Sequence, residues 1–254
     1  MSLTSSGNIL EFKRVEFGYE KKVPFIRDMS FSTGNGEFIG LLGANGSGKS
    51  TMLKLASGIL RMSGGVIHLW GKAIGEYTNR DRAKLLSYLP QILDLHIPFN
   101  VREVVSMGLY PYDVQPPLTV EESLAMAGLT DKADSPITRL SGGERRRVYI
   151  AMTLLQGAGL VLMDEPLANL DIKYQIELLR LLKELREQRG MTVVMALHDI
   201  HIAMQFDKIM LVKEGSIIGT GSPGEVLTRE AIKEAFDADV EIRIDKAGGT
   251  YIKC

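Results

Sequence analysis

The stretch Gly43-Ala44-Asn45-Gly46-Ser47-Gly48-Lys49-Ser50-Thr51 sets glycines, a lysine and hydroxyls at the spacing that grips a phosphate chain. Glycines let successive backbone N–H groups converge on phosphate oxygens. A helix beginning at Lys49 aims its positive dipole end at the same anion. Lys49 adds a mobile cation for β- and γ-phosphates, and the Ser50 hydroxyl is suited to ligate Mg²⁺. A plain glycine-rich turn could share these glycines. The setting favours phosphate: the apolar run Glu37 to Leu42 leads in, and a helical stretch Thr51 to Ser57, stopped by Gly58, leads out.

A second constellation is Met163-Asp164-Glu165-Pro166, directly after the buried strand pattern Leu160-Val161-Leu162-Met163. Acidic residues at the carboxyl end of a central strand face the crevice where α/β sheets bind ligands. Two adjacent carboxylates there are costly without a cation. Asp164 is suited to hold Mg²⁺ through water, and Glu165 to orient and deprotonate an attacking water.

The third is Leu140-Ser141-Gly142-Gly143-Glu144. Ser141 reads as a helix N-cap and Glu144 as its reciprocating partner three residues on. That explains Ser and Glu but not two glycines in a first helical turn, each costing up to about 1 kcal/mol against alanine. Bare backbone N–H groups at a positive helix end would receive an anion. One chain thus has two anion-binding helix starts. Two copies arranged head to tail would let each Ser141 helix close on the γ-phosphate held by its twin. Arg145, Arg146 and Arg147 read as a solvated face.

The elements that must carry these groups follow an α/β pattern. Ile9 to Phe17, Phe25 to Ser32 and Val66 to Trp70 read as strands, Val101 to Gly108 and Val120 to Met126 as short helices. Pro98, Pro111, Pro116, Pro117 and Pro136 punctuate the loops between. Ile172 to Arg189 reads as a helix with an apolar stripe at Ile172, Ile176, Leu179, Leu182 and Leu185, closed by Gly190. Thr192 to Leu197 is a further buried strand. Ser222-Pro223-Gly224-Glu225 is a capping box with proline at the first helical position, and a terminal hairpin is expected around Lys246-Ala247-Gly248-Gly249. The expected architecture is one α/β domain, residues 1–254. Its core, 1–90 and 158–254, is a mostly parallel sheet with an antiparallel β edge layer; 91–157 is an inserted α-helical subdomain.

Composition agrees with a globular chain: 254 residues, 45% apolar, 24% charged, net charge −1. That charge argues against a nucleic-acid-binding surface. Cys254 alone builds neither a disulfide framework nor a thiolate metal site, which is compatible with a reducing cytoplasm. Met1 to Gly7 lacks the basic start and apolar core of a signal peptide. No apolar run approaches the ~18 residues that cross a bilayer, so any membrane span would belong to another chain.

The phosphate loop, Gln91 in Tyr88-Leu89-Pro90-Gln91, the Leu140–Glu144 signature, Asp164-Glu165, Leu170-Asp171 and His198 occur in the order found in ABC transporter ATPases. The resemblance spans essentially the whole chain. It implies that Tyr19 stacks on adenine. It implies that Gln91 touches Mg²⁺ and communicates with a permease, that His198 contacts the γ-phosphate, and that Asp171 links two active sites across a homodimer sandwiching two ATP. It also implies integral membrane permease subunits, a solute-binding protein acting indirectly, and a place on the cytoplasmic face of the membrane. Without nucleotide the chain would be largely monomeric, because ATP forms much of the interface.

Val101 to Pro111, Leu170 to Gln175 and His198 to Met204 resemble importers of iron-siderophore, haem or cobalamin. Tyr174, where that branch usually has histidine, Leu167, in place of a threonine, and a short stretch between Pro111 and Thr119 depart from it. Zinc or manganese importers use a similar ATPase. A soluble iron–sulfur assembly factor is a non-transport alternative. Translation or chromosome-maintenance ATPases carry two ATPase halves or a long coiled coil, neither visible here, and a nucleotide kinase would leave Leu140–Glu144 and Asp164-Glu165 unexplained.

Overall fold

The computed structural model describes residues 7–20, 23–91, 98–113, 118–168, 170–238, 241–244 and 250–253. The chain forms two compact units: Met1–Ile74 with Val194–Cys254, and Gly75–Val193.

The first unit opens with strands β1 (Leu10–Phe17) and β2 (Ile26–Thr33). With β4 (Gly64–Leu69) and β5 (Lys72–Ala73) they make an antiparallel sheet ordered β2-β1-β4-β5. Leu10, Phe12, Val15 and Phe17 are buried. The inward alternation skips a residue at Lys13-Arg14, where the pairing slips against both neighbours and Arg14 takes φ 50°. That bulge turns Val15 and Phe17 back to the core. Between β2 and β4 in chain order, β3 (Phe38–Leu42) belongs to a different sheet and is buried at every position, as expected for a strand covered on both faces. Helix α1 (Lys49–Ala56) follows it.

The second unit holds α2 (Asn79–Leu85), β6 (Leu86–Leu89), α3 (Val101–Ser106), α4 (Val120–Met126), α5 (Gly142–Gln156), β7 (Leu160–Asp164) and α6 (Ile172–Arg189). β6 and β7 run parallel, Leu86 opposite Leu160 through Leu89 opposite Met163. Capping boxes start α3 at Asn100/Glu103 and α4 at Thr119/Glu122, and both helices pack on α5. A Cβ at Gly108 would lie 2.5 Å from the Met152 carbonyl, so glycine there allows the turn after α3 to touch α5.

Helix α6 corrects one expectation. Leu179, Leu182 and Leu185 of the expected stripe are buried, but Ile172 is 74% exposed and Ile176 49%. Leu178, absent from that stripe, is buried instead. Leu178, Leu182 and Leu185 have the i, i+4, i+7 spacing of one helix face, and the turn of about 100° per residue carries both isoleucines away from it.

Strand β8 (Thr192–Leu197) carries the chain back into the first unit, where α7 (Ile200–Ala203), β9 (Lys208–Lys213), β10 (Ser216–Gly221), α8 (Pro223–Val226) and α9 (Arg229–Phe236) complete it. The strand order there is β10-β9-β3-β8. β9 is parallel to β3 and antiparallel to β10. Phe38 and Phe206 stack with centroids 4.4 Å apart. The expected capping box forms, the Ser222 N–H and hydroxyl donating to Glu225 at 2.9 and 2.7 Å. β11 (Glu241–Ile244) and β12 (Thr250–Lys253) pair antiparallel. The turn expected at Lys246–Gly249 lies outside the described residues. Among the described residues no helix is long and apolar enough to cross a membrane.

Candidate functional site

In the first unit the phosphate loop runs from the end of β3 to the start of α1. Gly43 sits where a Cβ would be 2.2 Å from the Val212 carbonyl, so no larger residue lets the loop leave the strand there. Gly46 and Gly48 take φ 79° and 114°, in the left-handed region that favours glycine. Ser47 is buried and its carbonyl accepts from Gly215 N–H at 2.7 Å. Asn45 and Gly46 are exposed, and Ser50 is half-buried. Lys49 is only 4% exposed, and its ammonium donates to the Gly43 carbonyl at 2.8 Å and to Ala44 at 3.0 Å. The lysine thus folds back along its own loop. No side chain caps α1. Its leading amides, the glycine conformations and the retained cation fit a polyphosphate.

Tyr19 lies in the same unit. Its ring is edge-on to Phe17 at 4.9 Å and tilted to Phe25 at 6.0 Å, and its hydroxyl is 2.7 Å from Thr51 Oγ1. The residue is 66% exposed, an aromatic held from behind with surface toward solvent. His198 is exposed just past the end of β8.

In the second unit β7 delivers Asp164, 1% exposed, at its last position. Glu165 follows with φ 48°, a left-handed conformation unusual for a non-glycine residue. Gln91 Nε2 donates to the Glu165 carboxylate at 2.9 Å, so two expected site residues meet directly. Tyr88 hydroxyl reaches Asp164 at 3.5 Å; burial, then the Asp164 charge, push the phenol well above its ordinary pKa. Asp171 is exposed at the N-cap position of α6 without capping it. Gln175 Nε2 instead ties the preceding turn, donating to Leu167 and Leu170 carbonyls at 3.1 Å each.

The Ser141 helix start forms as expected. Ser141 N–H and hydroxyl each donate to Glu144 at 2.9 Å, and Glu144 N–H returns to Ser141 Oγ at 3.3 Å. Lys132 adds an ammonium at 2.7 Å. That bond first, then the two from Ser141, hold the Glu144 pKa down at about 2. Gly142 is exposed, and a Cβ there would meet nothing within 4 Å. Nothing in its surroundings requires glycine at that position.

The arginine run is a correction. Arg146 is only 8% exposed. Its Nε donates to the Pro166 carbonyl, Nη1 to Pro90 and Gln91, and Nη2 to Asp164 and Glu165. Burial lowers its pKa, and the neighbouring Asp164 and Glu165 charges oppose that. Arg147 donates to Ala127 and Gly128 carbonyls and lies 4.0 Å from the Tyr174 ring centroid. Arg145 is half-buried. Successive helical residues are turned about 100° apart, so three in a row cannot share one solvated face. Arg146 stands three and four residues before the buried Tyr149 and Ile150, and that spacing carried the signal.

A family profile described as ABC transporter matches residues 26–168. The chain belongs to the ABC transporter family. It is an ABC-type ATPase with a P-loop NTPase fold and an additional antiparallel sheet. It is similar to the iron(3+)-hydroxamate import ATP-binding protein FhuC of Bacillus subtilis, 37% identical over 94% of this chain and 91% of that one. Among solved structures it is similar to one described as a metal-chelate type ABC transporter in an inward-facing conformation. That match has a TM-score of 0.78 and 26% identity, and covers 96% of both chains. It is also similar to a dimeric ATP-binding cassette in a post-hydrolysis state bound to ADP and Pi, with a TM-score of 0.76 and 26% identity over 84% of this chain and 98% of that one. Within this ABC ATPase the structure joins Tyr19 to Thr51, Lys49 to Gly43, Gln91 to Glu165 and Ser141 to Glu144.

Proposed function

We propose that this chain is the ATP-hydrolysing subunit of an importer that takes up an iron-siderophore, haem or cobalamin through separate permease subunits. The 37% identity to an iron-hydroxamate import ATPase over nearly the full length of both chains supports that branch. A solute-binding protein outside the membrane delivers the cargo, and this chain works on the cytoplasmic face. Residues 91–157 act as the helical subdomain that meets the permease.

Two copies hold two ATP·Mg²⁺. Gly43, Asn45, Gly46, Ser47, Gly48 and Lys49 cradle the phosphates, Ser50 and Thr51 complete the loop, and Tyr19 stacks on the adenine. Ser50, Gln91 and Asp164 serve Mg²⁺, which neutralises charge developing on the phosphates. Glu165 takes the proton of the attacking water, with Gln91 hydrogen-bonded beside it and His198 on the γ-phosphate. Ser141, Gly142, Gly143 and Glu144 of one copy seal the nucleotide of the other, and Asp171 links the two sites.

The observation that carries the in-trans reading is Gly142. It is bare and exposed as the first residue of α5, directly after the N-cap Ser141, with nothing within 4 Å of where its Cβ would be, so a glycine there suits close approach from outside the chain. Replacing Ser141 by Arg should abolish ATP-dependent dimers of the Glu165→Gln chain in gel filtration. Undiminished dimers would reject the shared site. Deleting the gene should abolish uptake of labelled ferric siderophore, haem or cobalamin; loss of zinc or manganese uptake instead would reject the branch.

A further inference from the structure

We propose that Arg146 is a positioning residue for hydrolysis, strapping the Gln91 and Glu165 backbones together so that their side chains address one water. The inference rests on the reading of Glu165 as the base.

A guanidinium has five N–H donors in a rigid plane and accepts nothing. Arg146 uses all five on main-chain carbonyls: Pro166 at 3.2 Å, Pro90 at 3.0 Å, Gln91 at 2.7 Å, Asp164 at 2.8 Å and Glu165 at 2.7 Å. Three of the acceptors are consecutive, the last residue of β7 and the two after it; the other two are consecutive and follow β6. One buried side chain therefore fixes the separation of the two strand exits. Between those exits runs the 2.9 Å bond from Gln91 to the Glu165 carboxylate.

The strap also bears on the Glu165 backbone. At φ 48° that residue occupies a conformation that persists only where surroundings over-determine it. Carbonyls on both sides and at the residue itself are bound by one rigid fork, which supplies the constraint. Lysine cannot reproduce it, having three donors about one point. The partners are carbonyls, so the arginine orients the acidic residues through their backbone.

The test measures single-turnover hydrolysis and ATP affinity of the full chain with Arg146→Lys, alone and combined with Glu165→Gln. Arg146→Lys should slow hydrolysis about 10²-fold, the scale of a misplaced catalytic group, with ATP Kd changed less than about threefold. In the Glu165→Gln background it should change the residual rate less than about threefold, because the group it positions has gone. A wild-type rate, an equal loss in both backgrounds, or a Kd weakened as much as the rate would each overturn the proposal. Arg146→Gln, which leaves no buried unpaired cation, is the second variant and should behave alike; failure of both to fold shows a structural role and overturns it too. Glu165→Gln alone tests the base: its hydrolysing at the wild-type rate rejects that reading before Arg146 is considered.

Discussion

The Lys132 ammonium donates to Glu144 at 2.7 Å, and the other oxygen of that carboxylate receives the Ser141 N–H and hydroxyl. The Glu144 pKa is depressed to about 2 and that of Lys132 is raised, chiefly by their mutual hydrogen bond. A depressed carboxylate contributes stability at pH above its unfolded value, about 4.5, and loses it as pH falls toward 2. A raised lysine contributes below its unfolded value, 10.5, and loses it above. The pair therefore holds the start of α5 throughout the neutral range. Lys132→Met should move the Glu144 midpoint upward toward the ordinary carboxylate range in an NMR titration, while Ser141 keeps part of the depression. An unmoved midpoint would contradict the assigned cause.

Gly215 contributes to the phosphate loop from outside the motif. Its N–H holds the Ser47 carbonyl, its φ is 74°, and a Cβ would lie 2.1 Å from the Phe25 carbonyl. Gly215→Ala should cost about 2 kcal/mol or more, from backbone strain and the displaced neighbour together. It should also weaken ATP binding by shifting Ser47. Urea denaturation checks the first and nucleotide titration the second; a change below about 0.5 kcal/mol would show that the turn yields freely.

Much of this arrangement was legible in the residue order. Short motifs at element ends were readable because their chemistry is local: glycines before Lys49, Ser141 three before Glu144, acidic residues after an apolar run. Strand β3 and helix α4 likewise announce themselves through burial period and caps. The anchoring of Arg146 is not visible in sequence because its partners lie 18 to 56 positions away and are backbone atoms, which no residue type announces. The contact of Gly215 with Ser47 is hidden for the same reason. The β9–β10 hairpin has weak alternation and a register slip between Ile217 and Gly219, so its pattern is faint. The α6 stripe is ambiguous in sequence because Ile176 and Leu178 offer competing apolar choices two residues apart, and only packing selects between them.

Lys49 and Glu165 should separate binding from chemistry. Lys49→Ala removes a buried cation from the loop and should weaken ATP affinity by about 10–10²-fold, the worth of a charge-assisted hydrogen bond. Glu165→Gln keeps shape and the partner for Gln91 but removes the proton acceptor; turnover should fall about 10²–10⁴-fold with affinity kept. Equilibrium titration with a fluorescent nucleotide, beside phosphate release, reads both. Exchanged phenotypes would reject the assignment of roles.

Along α6 the exposed and buried apolar residues should respond oppositely. Leu182 is fully buried, and Leu182→Ala removes packed methyl groups and leaves a void, costing about 2–5 kcal/mol. Ile172→Ser and Ile176→Ser remove side chains that are 74% and 49% exposed, so each should stay within about 0.5 kcal/mol of the parent. The measurement is the urea midpoint, with an unchanged slope showing that the same surface unfolds in each variant. If Ile172→Ser were as costly as Leu182→Ala, the first turn of α6 would be buried in the isolated chain, and Asp171, one residue before it, would no longer be available to meet a second copy.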